Sequence, residues 1–184
     1  RFLVYDENDP QTKLDIWVLP LEGERKPFPF LKTEFNERAG TLSPAADSQG
    51  RLWMAYSSDE TGRNEIYLRP FLPGAPGGPA GAKVRVSTGG GVFATWRKDG
   101  RELYYAAGDN LMAVDVKLGA APGIGAPHRL FDVTRAGIRS APFAGILGYA
   151  PFGDGRRFLL TESAGEPPPA RINVVLNWQA ELRR

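Results

Sequence analysis

Arg1-Phe2-Leu3-Val4-Tyr5, Arg51-Leu52-Trp53-Met54-Ala55-Tyr56, Arg101-Glu102-Leu103-Tyr104-Tyr105 and Arg156-Arg157-Phe158-Leu159-Leu160 are one phrase repeated, with starts 50, 50 and 55 residues apart. Three of the copies follow a turn that ends in glycine, namely Asp47-Ser48-Gln49-Gly50, Lys98-Asp99-Gly100 and Gly153-Asp154-Gly155. Self-similarity at such a spacing marks a repeat architecture, in which each unit buries its faces against its neighbours. The copy at Arg1 has no turn before it, and this start in mid-repeat predicts a piece of something longer.

Around each phrase the apolar pattern has period two. Leu52, Met54 and Tyr56 alternate with Trp53 and Ala55, and Ile66 and Leu68 with Tyr67 and Arg69, as strands require. No window sustains the i, i+3, i+4, i+7 pattern of an amphipathic helix, and prolines interrupt most candidates. One unit reads Thr41–Pro44, Arg51–Ser57, Asn64–Phe71 and Lys83–Ser87, a four-stranded up-and-down meander. The next reads Phe93–Arg97, Arg101–Ala106, Asn110–Lys117 and Pro127–Val133, with Asp, Asn and Gly in its turns, residues that tolerate positive φ. The first unit (Arg1–Tyr5, Asp15–Pro20, Lys26–Leu31) lacks a first strand, and the last (Tyr149–Phe152, Arg156–Thr161, Ile172–Trp178) lacks a fourth. The expected fold is therefore an all-β propeller fragment of about four blades, over residues 1–34, 35–90, 91–134 and 135–184 of a single domain.

Composition agrees with an ordinary folded domain. A chain of 184 residues with 42% hydrophobic content buries roughly 70% of its unfolded surface without metal or disulfide support. Its 22 glycines and 16 prolines suit many strands joined by tight turns. No apolar run reaches the ~18 residues of a membrane-spanning helix, so direct membrane insertion is not expected. The 23 basic and 21 acidic side chains are interleaved, without the basic stripe that grips a phosphate backbone, which argues against nucleic acid as a partner.

The repeats resemble the WD40-like, or PD40, repeats of TolB-type propellers, whose signature is a strand ending in Ser-Pro-Asp-Gly followed by Arg and an aromatic, hydrophobic strand. Here the motif is degraded: Ser43-Pro44 is separated from Asp47 and Gly50, while Trp96-Arg97-Lys98-Asp99-Gly100-Arg101 and Pro151-Phe152-Gly153-Asp154-Gly155-Arg156 lack the serine. Three further stretches are similar to the propeller at the C-terminal end of many bacterial serine/threonine kinases: Ser58 through Phe71, Val86-Ser87-Thr88-Gly89-Gly90-Gly91 and Val174-Val175-Leu176-Asn177-Trp178. The resemblance implies a sensor or scaffold module on the outer side of the cytoplasmic membrane, periplasmic or cell-surface, and implies no chemistry.

The residues themselves offer little to a catalyst. Asp47, Asp99 and Asp154 recur with the repeat, but equivalent positions on different blades lie too far apart to share a metal or a proton, so they read as turn residues. Gly89-Gly90-Gly91 lacks the downstream Gly-Lys-Ser/Thr of a phosphate loop and reads as a connection between blades. There is no Gly-x-Ser-x-Gly elbow. His128 is the sole histidine, placed on an outer strand, and cysteine is absent, so no zinc site, other metal site or cofactor is expected. Trp53 and Trp96 read as packing between blades; Trp178 divides evenly between packing and partner contact.

A partner is expected on the loops at one end of the blades: Phe35–Gly40, Gly89–Phe93, Arg135–Gly145, Asp59–Arg63, Ala107–Asp109 and Ser163–Ala170. Arg135, Arg139 and Phe143 are the leading contact candidates, with Arg63 and Arg38 beside them, because arginine and aromatic side chains dominate interface hot spots. Three roles follow: a non-enzymatic protein-interaction or sensing module of a larger bacterial envelope or signalling protein, a small-ligand sensor at the channel mouth, or an accessory domain gating a serine peptidase whose catalytic domain is absent from this sequence. Open blade edges also predict self-association.

Overall fold

The period-two segments fold as strands. In the computed structural model, which describes residues 1–72, 81, 83–133 and 148–161, every regular element is a strand. The first sheet is a meander of β1 (Phe2–Asp9), β2 (Lys13–Pro20) and β3 (Phe28–Leu31). The second runs β4 (Glu37–Leu42), β5 (Leu52–Ser58), β6 (Glu65–Phe71) and β7 (Val84–Arg85). The third runs β8 (Val92–Trp96), β9 (Glu102–Ala107) and β10 (Asn110–Lys117), and two short strands, β11 (Gly123–Ile124) and β12 (His128–Asp132), share the outer side of β10. A hairpin of β13 (Tyr149–Pro151) and β14 (Phe158–Leu160) follows. All pairings are antiparallel and no sheet closes into a barrel, which is consistent with the all-β propeller fragment expected from the sequence. The expected closing strand Ile172–Trp178 lies outside the described residues.

Neighbouring sheets pack face to face, and the alternation within each strand decides which neighbour a side chain meets. Ile16, Val18 and Phe30 of the first sheet pack with Met54, Tyr56 and Tyr67 of the second. The opposite face of the second sheet, through Trp53, Ala55, Ile66 and Leu68, packs with Trp96, Leu103, Tyr105 and Val114 of the third. Tyr104, Ala106 and Leu111 then meet Tyr149 and Phe158 of the hairpin. The buried Tyr149 hydroxyl donates to the Phe93 carbonyl at 2.6 Å, fixing the hairpin to β8. At the two ends of this succession apolar side chains stay in water: Leu3 is 49% exposed and Leu159 64%.

The cross-strand registers shift one sequence equivalence. Thr41 opposes Ala55 and Leu42 opposes Met54, while Thr95 opposes Tyr104 and Trp96 opposes Leu103. Met54 therefore corresponds to Leu103, and Leu52, not Arg51, to Arg101. The arginine-led phrases are out of step by one residue in the second sheet, where the turn from Ser43 to Arg51 is longer. A one-residue slip exchanges the two faces of a strand, so matching arginine to arginine would point Met54 at the wrong neighbour.

The first strands of the second and third sheets share a further device. β4 and β8 each carry a bulge, two residues opposite a single tyrosine: Ala39 and Gly40 opposite Tyr56, Phe93 and Ala94 opposite Tyr105. Phe35–Gly40, read above as a loop, is thus strand from Glu37 on, because β4 begins there rather than at Thr41.

Candidate interaction face

The loops at the end of β5 are tied into one surface by side chains that cap them. Glu65, wholly buried at the start of β6, accepts the Arg63 Nε–H at 2.8 Å, the Gly90 amide at 3.1 Å and the Ser87 hydroxyl. Ser87 Oγ in turn accepts the Ile66 amide at 2.8 Å, and the Gly91 amide reaches the Asn64 carbonyl at 2.8 Å. Gly89-Gly90-Gly91 is therefore the connection between the second and third sheets, as its sequence suggests. Gly90 has φ +96°, and a Cβ on Gly91 would stand 2.7 Å from Ile66 Cγ1, so the tight clasp needs both glycines.

The junction of the first and second sheets has its own clasp. Asp59, in the β5–β6 turn, accepts the Asn36 amide at 2.9 Å and its side-chain Nδ2–H at 2.6 Å. Burial pushes the Asp59 carboxyl up, but those two bonds, together with the charge of Lys13 and the residue's own backbone amide, hold it below its ordinary value. Buried Glu37 accepts the Thr33 hydroxyl at 2.6 Å, and buried Asp15 the Thr12 hydroxyl at 2.6 Å. Burial lifts the Glu37 carboxyl to about 6 against the Thr33 bond, and the charges of Asp15, Glu60 and Asp59 add to the rise. The other oxygen of each buried carboxylate, Asp15 Oδ1 and Glu37 Oε2, has no partner among the described residues. Glu60 pairs with Lys83, whose ammonium also lies 4.9 Å from the Tyr67 ring centre.

Of the five contact candidates, Arg63 is where it was expected. Its side chain is 62% exposed on the β5–β6 turn, with Nε on Glu65 and Nη2 on the Thr88 carbonyl, so it is presented in one orientation. Arg38 is not on a loop. It lies half-buried in β4 opposite Ser57, and its charge, together with the Ala39 amide, counters the burial that raises the Asp6 carboxyl. Arg135, Arg139 and Phe143 lie outside the described residues, as do Ser163–Ala170 and Trp178. Glu65 and Asp15 went unremarked in the sequence, although Asp15-Ile16-Trp17 and Glu65-Ile66-Tyr67, each followed by a proline at Pro20 and Pro70, are a second repeated phrase.

At the opposite end of β5 the three Asp-Gly turns do the local work predicted for them. Asp47, Asp99 and Asp154 each accept the amide of the arginine that follows the turn, at 3.1, 3.0 and 3.0 Å, and Gly50, Gly100 and Gly155 have φ of 74°, 72° and 69°. Asp47 also takes the Arg51 Nε–H and the Trp53 indole N–H. Burial raises its carboxyl, and these bonds overcome that and lower it to about 2. Trp53 and Trp96 are core residues, His128 is exposed on β12, and among the described residues no three His, Asp or Glu side chains could hold a metal ion. No described helix is long and apolar enough to cross a membrane. Along β1, β4 and β8 a groove of about 440 Å³ is lined from three sheets by Tyr5, Asp6, Thr41 and Thr95. Compared with known protein families and with curated proteins, the chain finds no match in either.

Proposed function

We propose that the chain is part of a TolB-like, WD40-like β-propeller that serves as a non-enzymatic protein-interaction or sensing module in a larger bacterial envelope or signalling protein. The supporting observation is the loop face: Asn36–Asp59 and Arg63–Glu65–Ser87–Gly90 fasten loops from successive sheets into one preorganised surface that presents an oriented, exposed arginine. Fixing such groups in advance lowers the entropic cost of binding a partner. Arg135, Arg139 and Phe143 extend that face in this proposal, and the extracytoplasmic location rests on the family resemblance. A small-ligand role has one observation in its favour, the groove along β1, β4 and β8 with Asp6, Thr41 and Thr95 on its wall.

Affinity capture from envelope extracts tests the choice of face. A partner recovered by the native chain and by Lys98→Ala, at the opposite end of the strands, is expected to be lost with Arg63→Ala combined with Arg135→Ala and Arg139→Ala. Equal recovery by both variants overturns it.

A further inference from the structure

We propose that copies of this chain associate head to tail, the β13–β14 hairpin of one copy packing on the outer face of the β1–β2 sheet of the next. The surfaces concerned are sheet faces, distinct from the loop face and independent of its role.

Inside the molecule each sheet meets the next through the same pair of positions. Leu3 opposes Leu19 and Met54 opposes Arg69, each three residues beyond the equivalent Ile16 and Ile66. Leu103 opposes Trp96 and Phe158 opposes Pro151, each three residues before the turn aspartate. Leu3, Met54, Leu103 and Phe158 are therefore equivalent. The next residue in each strand, Val4, Ala55, Tyr104 and Leu159, points to the opposite face. Val4 packs in one cluster with Met54, and Ala55 in one with Leu103. Tyr104 packs on Phe158, with the ring centres 5.0 Å apart and edge to face.

Two members of this series are left over. Leu159 has no following sheet and Leu3 no preceding one among the described residues, and they stand 64% and 49% exposed, whereas Met54, Leu103 and Tyr104 are buried. The open face around Leu3 repeats the covered one around Met54. Tyr5 opposes Trp17 as Tyr56 opposes Tyr67, but Tyr56 and Tyr67 are buried against Ile16 and Val18, while Tyr5 and Trp17 are only partly buried. On the free side of the hairpin, Ala150 stands exposed opposite Leu159. One chain thus carries both halves of a contact that it makes internally. A second copy fits because Leu159 on Leu3 reproduces Tyr104 on Phe158. The two surfaces differ, so the contact is heterologous.

Sedimentation velocity and light scattering from micromolar to near-millimolar concentration test the pairing. The mean mass of the native chain is expected to rise with concentration and to depend little on salt, as an apolar contact requires. Leu3→Asp and Leu159→Asp should each weaken association by more than about tenfold. An equimolar mixture of the two should recover a dimer and nothing larger, because Leu3→Asp keeps the Leu159 ridge and Leu159→Asp keeps the Leu3 face. A native chain that stays monomeric, single variants that associate as the native chain does, or a mixture that stays monomeric overturns the proposal. Should either aspartate variant fail to fold, disulfide trapping decides, since the chain has no cysteine of its own. Leu3→Cys mixed with Leu159→Cys is expected to give the mixed disulfide well above its statistical share; a statistical distribution overturns the pairing.

Discussion

Ala39 and Phe93 hold the same place in two successive sheets and share a left-handed backbone, with φ of 54° and 56°. Neither is a residue that adopts this conformation readily, and a left-handed L-residue costs ~1–2 kcal/mol. The bulges persist because their surroundings fix them. The Ala39 amide is held by both oxygens of Asp6 at 3.0 Å, and the Phe93 carbonyl by Tyr149 at 2.6 Å.

From this, Ala39→Gly should unfold within ~0.5 kcal/mol of the native chain, since relief of the backbone offsets the lost methyl and the freer unfolded state. Ala39→Val should cost ~2 kcal/mol or more, because a β-branched side chain tolerates this φ poorly. Denaturant unfolding compares the three; an Ala39→Val as stable as Ala39→Gly would show that the bulge is not held in this conformation.

Ser87 joins two needs in one hydroxyl, accepting from the Ile66 amide and donating to buried Glu65. Ser87→Ala leaves the Ile66 amide without its partner in the interior, at ~1–3 kcal/mol for a buried orphan, and takes one of its donors from Glu65, which keeps Arg63 and Gly90. The expected loss is ~1–3 kcal/mol, against less than ~1 kcal/mol for Ser48→Ala on the exposed turn. Similar losses from the two serines would remove the clasp as the element that fixes the loop face.

The fold was legible in the sequence to the level of strands and their order, because alternation and Asp-Gly turns are local signals. What local signals do not carry is the phase between sheets. Arg51 and Arg101 look equivalent as letters, yet the extra turn residues between Ser43 and Arg51 shift the second sheet by one, and only the cross-strand pairs of Met54 and Leu103 reveal it. The third-strand phrase Asp15-Ile16-Trp17 and Glu65-Ile66-Tyr67 keeps the correct phase. Its acid is held in place by side-chain hydroxyls, from Thr12 in one copy and Ser87 in the other. Arg38 was misplaced for a related reason: a bulge with a glycine in it reads as loop until its partner strand is known.

The repeated aspartates are alike in their turns and unlike in their burial. The Asp47 side chain is fully buried and is met by Arg51 and the Trp53 indole, whereas Asp154 is exposed and accepts the Arg156 amide. Asp47→Ala should cost ~2–3 kcal/mol and Asp154→Ala less than ~1 kcal/mol, measured by chemical unfolding. Because the folded Asp47 carboxyl sits near 2, below the ordinary ~3.9 of an unfolded aspartate, its contribution is complete above about pH 4 and fades as pH falls toward 2. The gap between native and Asp47→Ala should therefore narrow below pH 4, and a gap constant down to pH 2 would contradict the assigned bonds.

Glu37 runs in the opposite direction. Burial, with Asp15, Glu60 and Asp59 nearby, raises its carboxyl to about 6, so between the unfolded value of ~4.3 and 6 the folded chain binds a proton that the unfolded chain has released. Its effect on stability is favourable at low pH and is lost as pH rises through that window, leaving a buried charge at neutral pH with Oε2 unpartnered among the described residues. Glu37→Gln keeps an acceptor for Thr33 and removes the charge. It should unfold much as the native chain does near pH 4.5, and be more stable than it at pH 7.5 by on the order of 1–2 kcal/mol. Lys32, which holds Asp9 at 2.6 Å, stands 4.0 Å from Asp15, whose charge adds to the rise at Glu37. Lys32→Gln should therefore widen the pH 7.5 difference between native Glu37 and Gln, because it leaves the Asp15 charge less compensated. Thermal melts of the four proteins at the two pH values measure this, and a Glu37→Gln variant less stable than native at pH 7.5 would mean that the carboxylate is paired and ionised in the folded chain.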